Sequence, residues 1–184
     1  SDSKPSVVIF EDRVQAAKIA SILHRLEFVK CFISFEETGE TQFKVWELED
    51  WIRNGLPSAD GLRLWRSEWK EISKSIVPGD LLSIVYTSGT TGKARGVELS
   101  HFNFVSSLKD CVMAGIARES DSTLLFLPLS HILGRIEQML ALAIGWRISY
   151  AQNFSTLFED LQESNPTVLF AVPRVFEQMF AKVK

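Results

Sequence analysis

The stretch with the clearest chemical potential is YTSGTTGKARG at residues 86–96, which continues the apolar run LLSIVY. Glycines let backbone N–H groups approach an anion closely, and consecutive N–H groups form an anion-binding concavity. Thr87, Ser88, Thr90 and Thr91 add hydroxyl donors that rotate toward oxygen atoms, and Lys93 adds a mobile positive charge. The pattern therefore predicts a phosphate-binding loop rooted at the end of a buried strand.

Two common phosphate loops do not fit this stretch. A Walker loop needs four residues between its glycines and a Ser or Thr after its lysine. Here only two threonines separate Gly89 from Gly92, and Ala94 follows Lys93. A dinucleotide-binding G-x-G-x-x-G is also missing. A generic polar connection between two elements remains the structural alternative.

Strand-like and helix-like segments alternate around this loop, which favours an α/β fold with a mainly parallel β-sheet and flanking helices. Ser100 is predicted to cap the helix that follows it. The predicted strands are 7–10, 28–35, 81–86, 96–99, 123–128, 147–151 and 167–172. The predicted helices are 11–26, 47–54, 60–72, 101–116, 132–144, 155–163 and 173–184.

Four of the five tryptophans lie in the charged segment 36–80: Trp46, Trp51, Trp65 and Trp69. They could form a ligand-binding face. The favoured interpretation is structural, because large amphipathic rings can pin a connecting segment onto a sheet.

A histidine stands in the segment FLPLSHILGR at residues 126–135. His131 follows a predicted strand, which would put it at the carboxyl edge of the sheet, where open α/β sheets bind ligands. A satisfied structural histidine is the alternative. Together with the glycine-rich loop, His131 becomes a candidate functional residue.

Bulk composition narrows the class of protein. The 184 residues carry a net charge of −3 and are 46% hydrophobic, which is typical of a soluble globular domain and does not favour nucleic-acid binding. Cys31 and Cys111 lack metal or redox spacing and are interpreted as reduced thiols, although a disulfide between them stays open. No signal peptide or metal site is predicted. A cytoplasmic location is expected, with peripheral membrane contact left open.

The motif YTSGTTGKARGVELSH resembles the signature of the AMP-forming adenylating enzymes. The resemblance implies that the loop cradles the β- and γ-phosphates of ATP and that Lys93 helps to hold the departing pyrophosphate. The ATP-binding positions that it implies are Thr87, Ser88, Gly89, Thr90, Thr91, Gly92 and Lys93.

Two further segments extend the resemblance. FLPLSHILGR is similar to the Pro-Leu-x-His segment of the family, which implies that His131 lies near the carboxylate and the α-phosphate. NPTVLFAVPRVFEQMFAKV at 165–183 resembles the long-chain acyl-CoA synthetases, with residues 170–172 bordering the acyl or nucleotide pocket and with Pro173 and Arg174 structural. One departure is Gly134-Arg135, where long-chain members often carry Glu-Arg.

The implied reaction is that of a long-chain fatty acid–CoA ligase, in which a fatty acid and Mg·ATP form acyl-AMP and CoA then forms acyl-CoA. Residues 1–184 are expected to be part of the large N-terminal adenylation domain and to be inactive alone. The magnesium-binding Glu, the ribose-binding Asp and the C-terminal Lys of the family would lie beyond Lys184. The alternatives are a fatty acyl-AMP ligase or other carboxylate-adenylating enzyme, a non-catalytic nucleotide-binding module, and a structural α/β domain.

Overall fold

A computed structural model of the chain describes residues 3–55, 59–87 and 94–177. The chain divides into two compact units, Ser1–Ile76 and Val77–Lys184. Each unit combines helices with small sheets, which are parallel except for one antiparallel pair in the second unit, so the predicted α/β class is confirmed. That the whole chain is part of one large adenylation domain stays a prediction.

The first unit contains a parallel three-stranded sheet in the order β1-β2-β3. Its core joins Phe10 of β1, Ala16 of helix α1 and Phe32 of β2. The predicted helix 11–26 is shorter in the structure, because the chain tightens into a 3-10 turn at Leu23–Arg25. The elements are β1 (Val7–Phe10), α1 (Arg13–Ser21), β2 (Cys31–Ser34), β3 (Trp46–Glu47), α2 (Leu48–Gly55) and α3 (Ala59–Ser75).

The interpretation of the tryptophans as pins on the sheet is wrong for three of the four. Trp51, Trp65 and Trp69 are 46%, 60% and 64% exposed. Trp51 and Trp65 line a groove between α2 and α3, so they face the neighbouring helix and solvent. Trp46 alone is half-buried in the sheet, where the Lys44 Nζ lies 4.3 Å from its ring centroid.

The second unit contains one antiparallel pair, β4-β5, and one parallel pair, β6-β7. All four residues of β6 are buried, and Leu124 of β6 packs with Leu157 and Val175 in the main apolar cluster. The elements are β4 (Leu81–Thr87), β5 (Arg95–Ser100), α4 (His101–Met113), β6 (Ser122–Leu125), α5 (Ile132–Ile144), β7 (Arg147–Tyr150) and α6 (Leu157–Ser164).

The predicted strand 167–172 is wrong, because this segment touches the sheet at one isolated bridge between Thr123 and Val168. Thr167 holds the segment at that point, since its N–H donates to the Ser122 carbonyl (2.9 Å) and its hydroxyl donates to Asp121 Oδ1 (2.8 Å). Farther along, Phe170 packs edge-to-face on the buried Trp146, with ring centroids 5.8 Å apart. Beyond Val168 the segment is therefore held by side-chain packing and is not a strand of the sheet.

The predicted cap of α4 is confirmed. Ser100 Oγ accepts from the Asn103 N–H (3.2 Å), and Asn103 Oδ1 accepts in return from the Ser100 N–H (2.9 Å). This reciprocal capping box satisfies two backbone donors at the start of the helix.

Replacing the cap should therefore destabilise the chain. We expect Ser100→Ala to lower the free energy of unfolding by about 1 kcal/mol in urea titrations, because a helix N–H loses its partner. Ser107→Ala is the matched control, since its exposed hydroxyl only bonds the Asn103 carbonyl within the same helix. Equal losses from the two variants would contradict a stabilising role for the capping box.

Candidate functional site

The predicted phosphate loop is rooted in the β4-β5 hairpin. Tyr86 pairs with Gly96 and Thr87 pairs with Arg95, so the residues on either side of the loop are held by cross-strand pairing. Of the predicted ATP-binding residues, Thr87 is described as the exposed last residue of β4. Ser88, Gly89, Thr90, Thr91, Gly92 and Lys93 lie outside the described residues.

His131 lies at the start of α5, beyond the carboxyl end of β6. It is the N-cap residue, its backbone is extended (φ −95°, ψ 143°), and its N–H donates to the Pro128 carbonyl at 2.9 Å. Its imidazole makes no capping bond and is exposed. The ring is therefore available to a ligand on this side of the unit.

A cavity of about 580 Å³ opens beside His131. Its wall is almost entirely apolar, and the two exceptions are the side chains of His131 and Arg174. The lining residues are Leu127, Pro128, His131, Ile132, Leu133, Phe154, Val172, Arg174 and Val175. Cavities of this size and character bind small ligands with an apolar body and few polar groups.

Residues 170–172 were predicted to border the acyl or nucleotide pocket, and the structure places one of the three on the wall of this cavity. Val172 lines the cavity, whereas Phe170 packs on Trp146 and Ala171 packs against the apolar cluster. Arg174, interpreted from the sequence as structural, lines the cavity as well. The sequence offered one sign of this position, because Arg174 comes directly after Val172-Pro173, at the end of the segment predicted to border a pocket.

Arg135 connects the His131 turn to strand β4. Its Nε donates to the Leu129 carbonyl (2.6 Å), and its Nη1 donates to the Ser83 hydroxyl. One guanidinium thus ties the segment that carries His131 to the strand that ends at Thr87. Sequence reasoning placed both motifs but gave no sign of this link.

Gly134 stands where long-chain members often carry Glu, and the backbone around it leaves no room for a side chain. A Cβ on Gly134 would lie 2.8 Å from the Leu127 carbonyl oxygen and 2.9 Å from that of Pro128. Both are backbone atoms of the turn that leads to His131, so only glycine allows α5 to approach so closely.

Glu137 belongs to the same helix, α5, and its side chain is fully buried. The Thr123 hydroxyl donates to its Oε1 at 2.6 Å, and its Oε2 has no hydrogen-bond partner in the structure. Burial raises the pKa of this carboxyl from 4.5 to about 7, and the Thr123 hydrogen bond opposes the shift. An isolated Glu in an amphipathic helix gives no sequence signal for such burial.

The described part of the chain offers neither a metal-binding cluster nor a membrane-spanning helix. Within 3–55, 59–87 and 94–177, no group of three or more His, Cys, Asp or Glu side chains could hold a metal ion. None of the helices in these ranges is long and apolar enough to cross a bilayer.

The chain resembles a known family and several known proteins. A family model described as AMP-binding enzyme matches residues 1–184. A long-chain-fatty-acid–CoA ligase of Gallus gallus is 29% identical over 97% of this chain, which covers 24% of that protein. Long-chain-fatty-acid–CoA ligase 1 of Homo sapiens is 37% identical over 60% of this chain and 16% of that protein.

A solved structure shares the fold. The adenylation domain of a carboxylate reductase from Mycobacterium chelonae matches 98% of this chain and 30% of its own, with a TM-score of 0.71 and 22% identity. The chain thus spans about a quarter of the length of the first of these relatives.

Adding a methyl group at Gly134 should displace the His131 turn. We expect Gly134→Ala to lower the free energy of unfolding by about 1–3 kcal/mol, because two backbone carbonyls must move. Gly79→Ala is the control, since nothing lies within 4 Å of a Cβ there. Urea titration measures both changes, and an unchanged midpoint for Gly134→Ala would contradict the close approach.

Glu137 should make stability depend on pH. Its pKa is higher in the folded state, so its contribution is full below pH 4.5 and is lost as the pH rises through about 7. We expect the free energy of unfolding to fall over this window by up to about 3 kcal/mol. Glu137→Gln should remove this part of the decline, and the exposed Glu163→Gln should retain it. Identical pH profiles for all three proteins would exclude a titrating Glu137.

Proposed function

Because the chain belongs to the AMP-binding enzyme family, we propose that it supplies the ATP-phosphate loop and part of the acyl site of a long-chain fatty acid–CoA ligase. The observation that carries the proposal is the motif YTSGTTGKARG at 86–96. Its first two and last two residues pair with each other in a hairpin. The similarity to a long-chain-fatty-acid–CoA ligase over 97% of this chain supports the same assignment.

The first step joins two anions. The fatty-acid carboxylate attacks the α-phosphorus of ATP, a carboxyl–phosphate bond forms, and the bond between the α-phosphorus and the bridging oxygen breaks to release pyrophosphate. Such a transfer depends on positioning and on donors aimed at the developing charge. In the proposal, the hydroxyls of Ser88, Thr90 and Thr91 and the Lys93 ammonium stabilise the departing pyrophosphate.

His131 is assigned to the fatty acid, which is the other reactant of this step. Its imidazole is exposed beside the apolar cavity, so a fatty acid whose chain enters the cavity would bring its carboxylate near the ring. A hydrogen bond from the ring to the carboxylate or to the α-phosphate would orient the attack.

The second step completes the thioester. The CoA sulfur attacks the acyl carbon of acyl-AMP, the carbon–sulfur bond forms, and AMP leaves. We assign no residue of this chain to the thiol. Magnesium is expected of the family, but the described residues contain no group of acidic ligands for it, so no step is assigned to it here.

The full-length protein that contains this chain provides the test. Fatty-acid-dependent exchange between ATP and pyrophosphate, followed by CoA-dependent release of acyl-CoA, would support the proposal. Exchange with acyl-AMP as the final product would favour a fatty acyl-AMP ligase. ATP binding without exchange would favour a non-catalytic nucleotide-binding module.

The phosphate loop should act in the first step. We expect Lys93→Ala and Thr91→Ala to slow adenylation about a hundredfold, because leaving-group donors are lost, and to change thioester formation much less. Single-turnover measurements separate the two steps. Lys109→Ala, an exposed lysine on α4, is the control. Slowing of the CoA step alone would contradict the phosphate assignment.

A further inference from the structure

We propose that Arg174 binds the carboxylate head group of the fatty acid and thereby selects acids over neutral amphiphiles. The inference rests on the proposed function and adds to it a binding role for Arg174, which the sequence analysis interpreted as structural. The cavity wall is apolar, yet Arg174 is among the residues that line it.

The backbone under Arg174 is held firmly. Residues 173–177 are helical, and Pro173 is the first of them. The next residue after Arg174, Val175, is only 5% exposed and packs with Leu124 and Leu157. Its N–H also donates to the Val172 carbonyl at 2.9 Å. The guanidinium therefore extends from a fixed point on the cavity wall.

The electrostatic setting favours an anion. None of the nine lining residues that the structure describes is acidic. Within the described part of the chain, Arg174 makes no ion pair, and the two ion pairs found there involve Arg53 and Lys74.

The chemistry of the pair is specific. A guanidinium presents parallel N–H donors that match the two oxygens of a carboxylate, which a lysine ammonium cannot reproduce. The surrounding Leu, Ile, Val and Phe side chains remove a hydrocarbon chain from water. An alcohol of equal length fills the same cavity but offers no charge to the arginine.

Binding of laurate and dodecanol to the full-length protein, measured by titration calorimetry, tests the inference. We expect the wild type to bind laurate at least tenfold more tightly, as a charge-assisted hydrogen bond allows. Arg174→Gln should bring the two affinities to within about twofold by weakening laurate alone, and Arg174→Lys should restore part of the preference. Circular dichroism checks that each variant is folded.

The matched control is Arg147→Gln, which changes an exposed arginine on β7 that does not line this cavity. It should keep the wild-type preference. An unchanged preference in Arg174→Gln would overturn the inference, as would a loss of ATP binding without a loss of laurate binding. An absence of laurate binding by the wild type would overturn it too.

Kinetics separate this inference from the proposed function. If the wild type adenylates laurate, Arg174→Gln should raise the KM for laurate about tenfold and leave kcat nearly unchanged. If the wild type binds laurate with the expected preference but never adenylates it, the proposed function fails and the role of Arg174 stands.

Discussion

The arrangement of the site depends on two hydrogen bonds that the Arg135 guanidinium donates. By donating to the Leu129 carbonyl and to the Ser83 hydroxyl, it joins the turn before His131 to the strand that ends at Thr87. In the proposed reaction a substrate carboxylate and the α-phosphate of ATP meet within bonding distance, so the elements proposed to hold them need a fixed separation. One planar, multidentate side chain provides that constraint within this unit.

The close packing of helix α5 on the turn before His131 supports the arrangement that Arg135 holds. Gly134 lets the helix lie directly on the carbonyls of Leu127 and Pro128, and Glu137 bonds Thr123 of the buried strand β6. The buried carboxyl is costly to ionise, which its raised pKa records. A helix held at both points leaves His131 little freedom to move relative to the cavity beside it.

The cavity itself depends on a segment that leaves its sheet. Thr167 anchors the segment to β6, Phe170 turns onto Trp146, and Val175 returns to the apolar cluster. Had residues 167–172 formed a continuous edge strand, their backbone would have followed β6. The departure places Val172 and Arg174 on the cavity wall. An apolar wall with Arg174 among its lining residues fits the fatty acid of the proposed function better than a nucleotide base.

The sequence by itself determined the family, the α/β class and the capped helix after Ser100, because these depend on local residue types and spacing; the phosphate-binding role of residues 87–93 stays a prediction. Tertiary structure alone decided the Arg135 link, the burial of Glu137, the position of Arg174 and the exposure of Trp65 and Trp69. Each of these depends on which distant segment a side chain meets. Hydrophobic periodicity tells which residues avoid water, but it does not tell which neighbour covers them or whether any does.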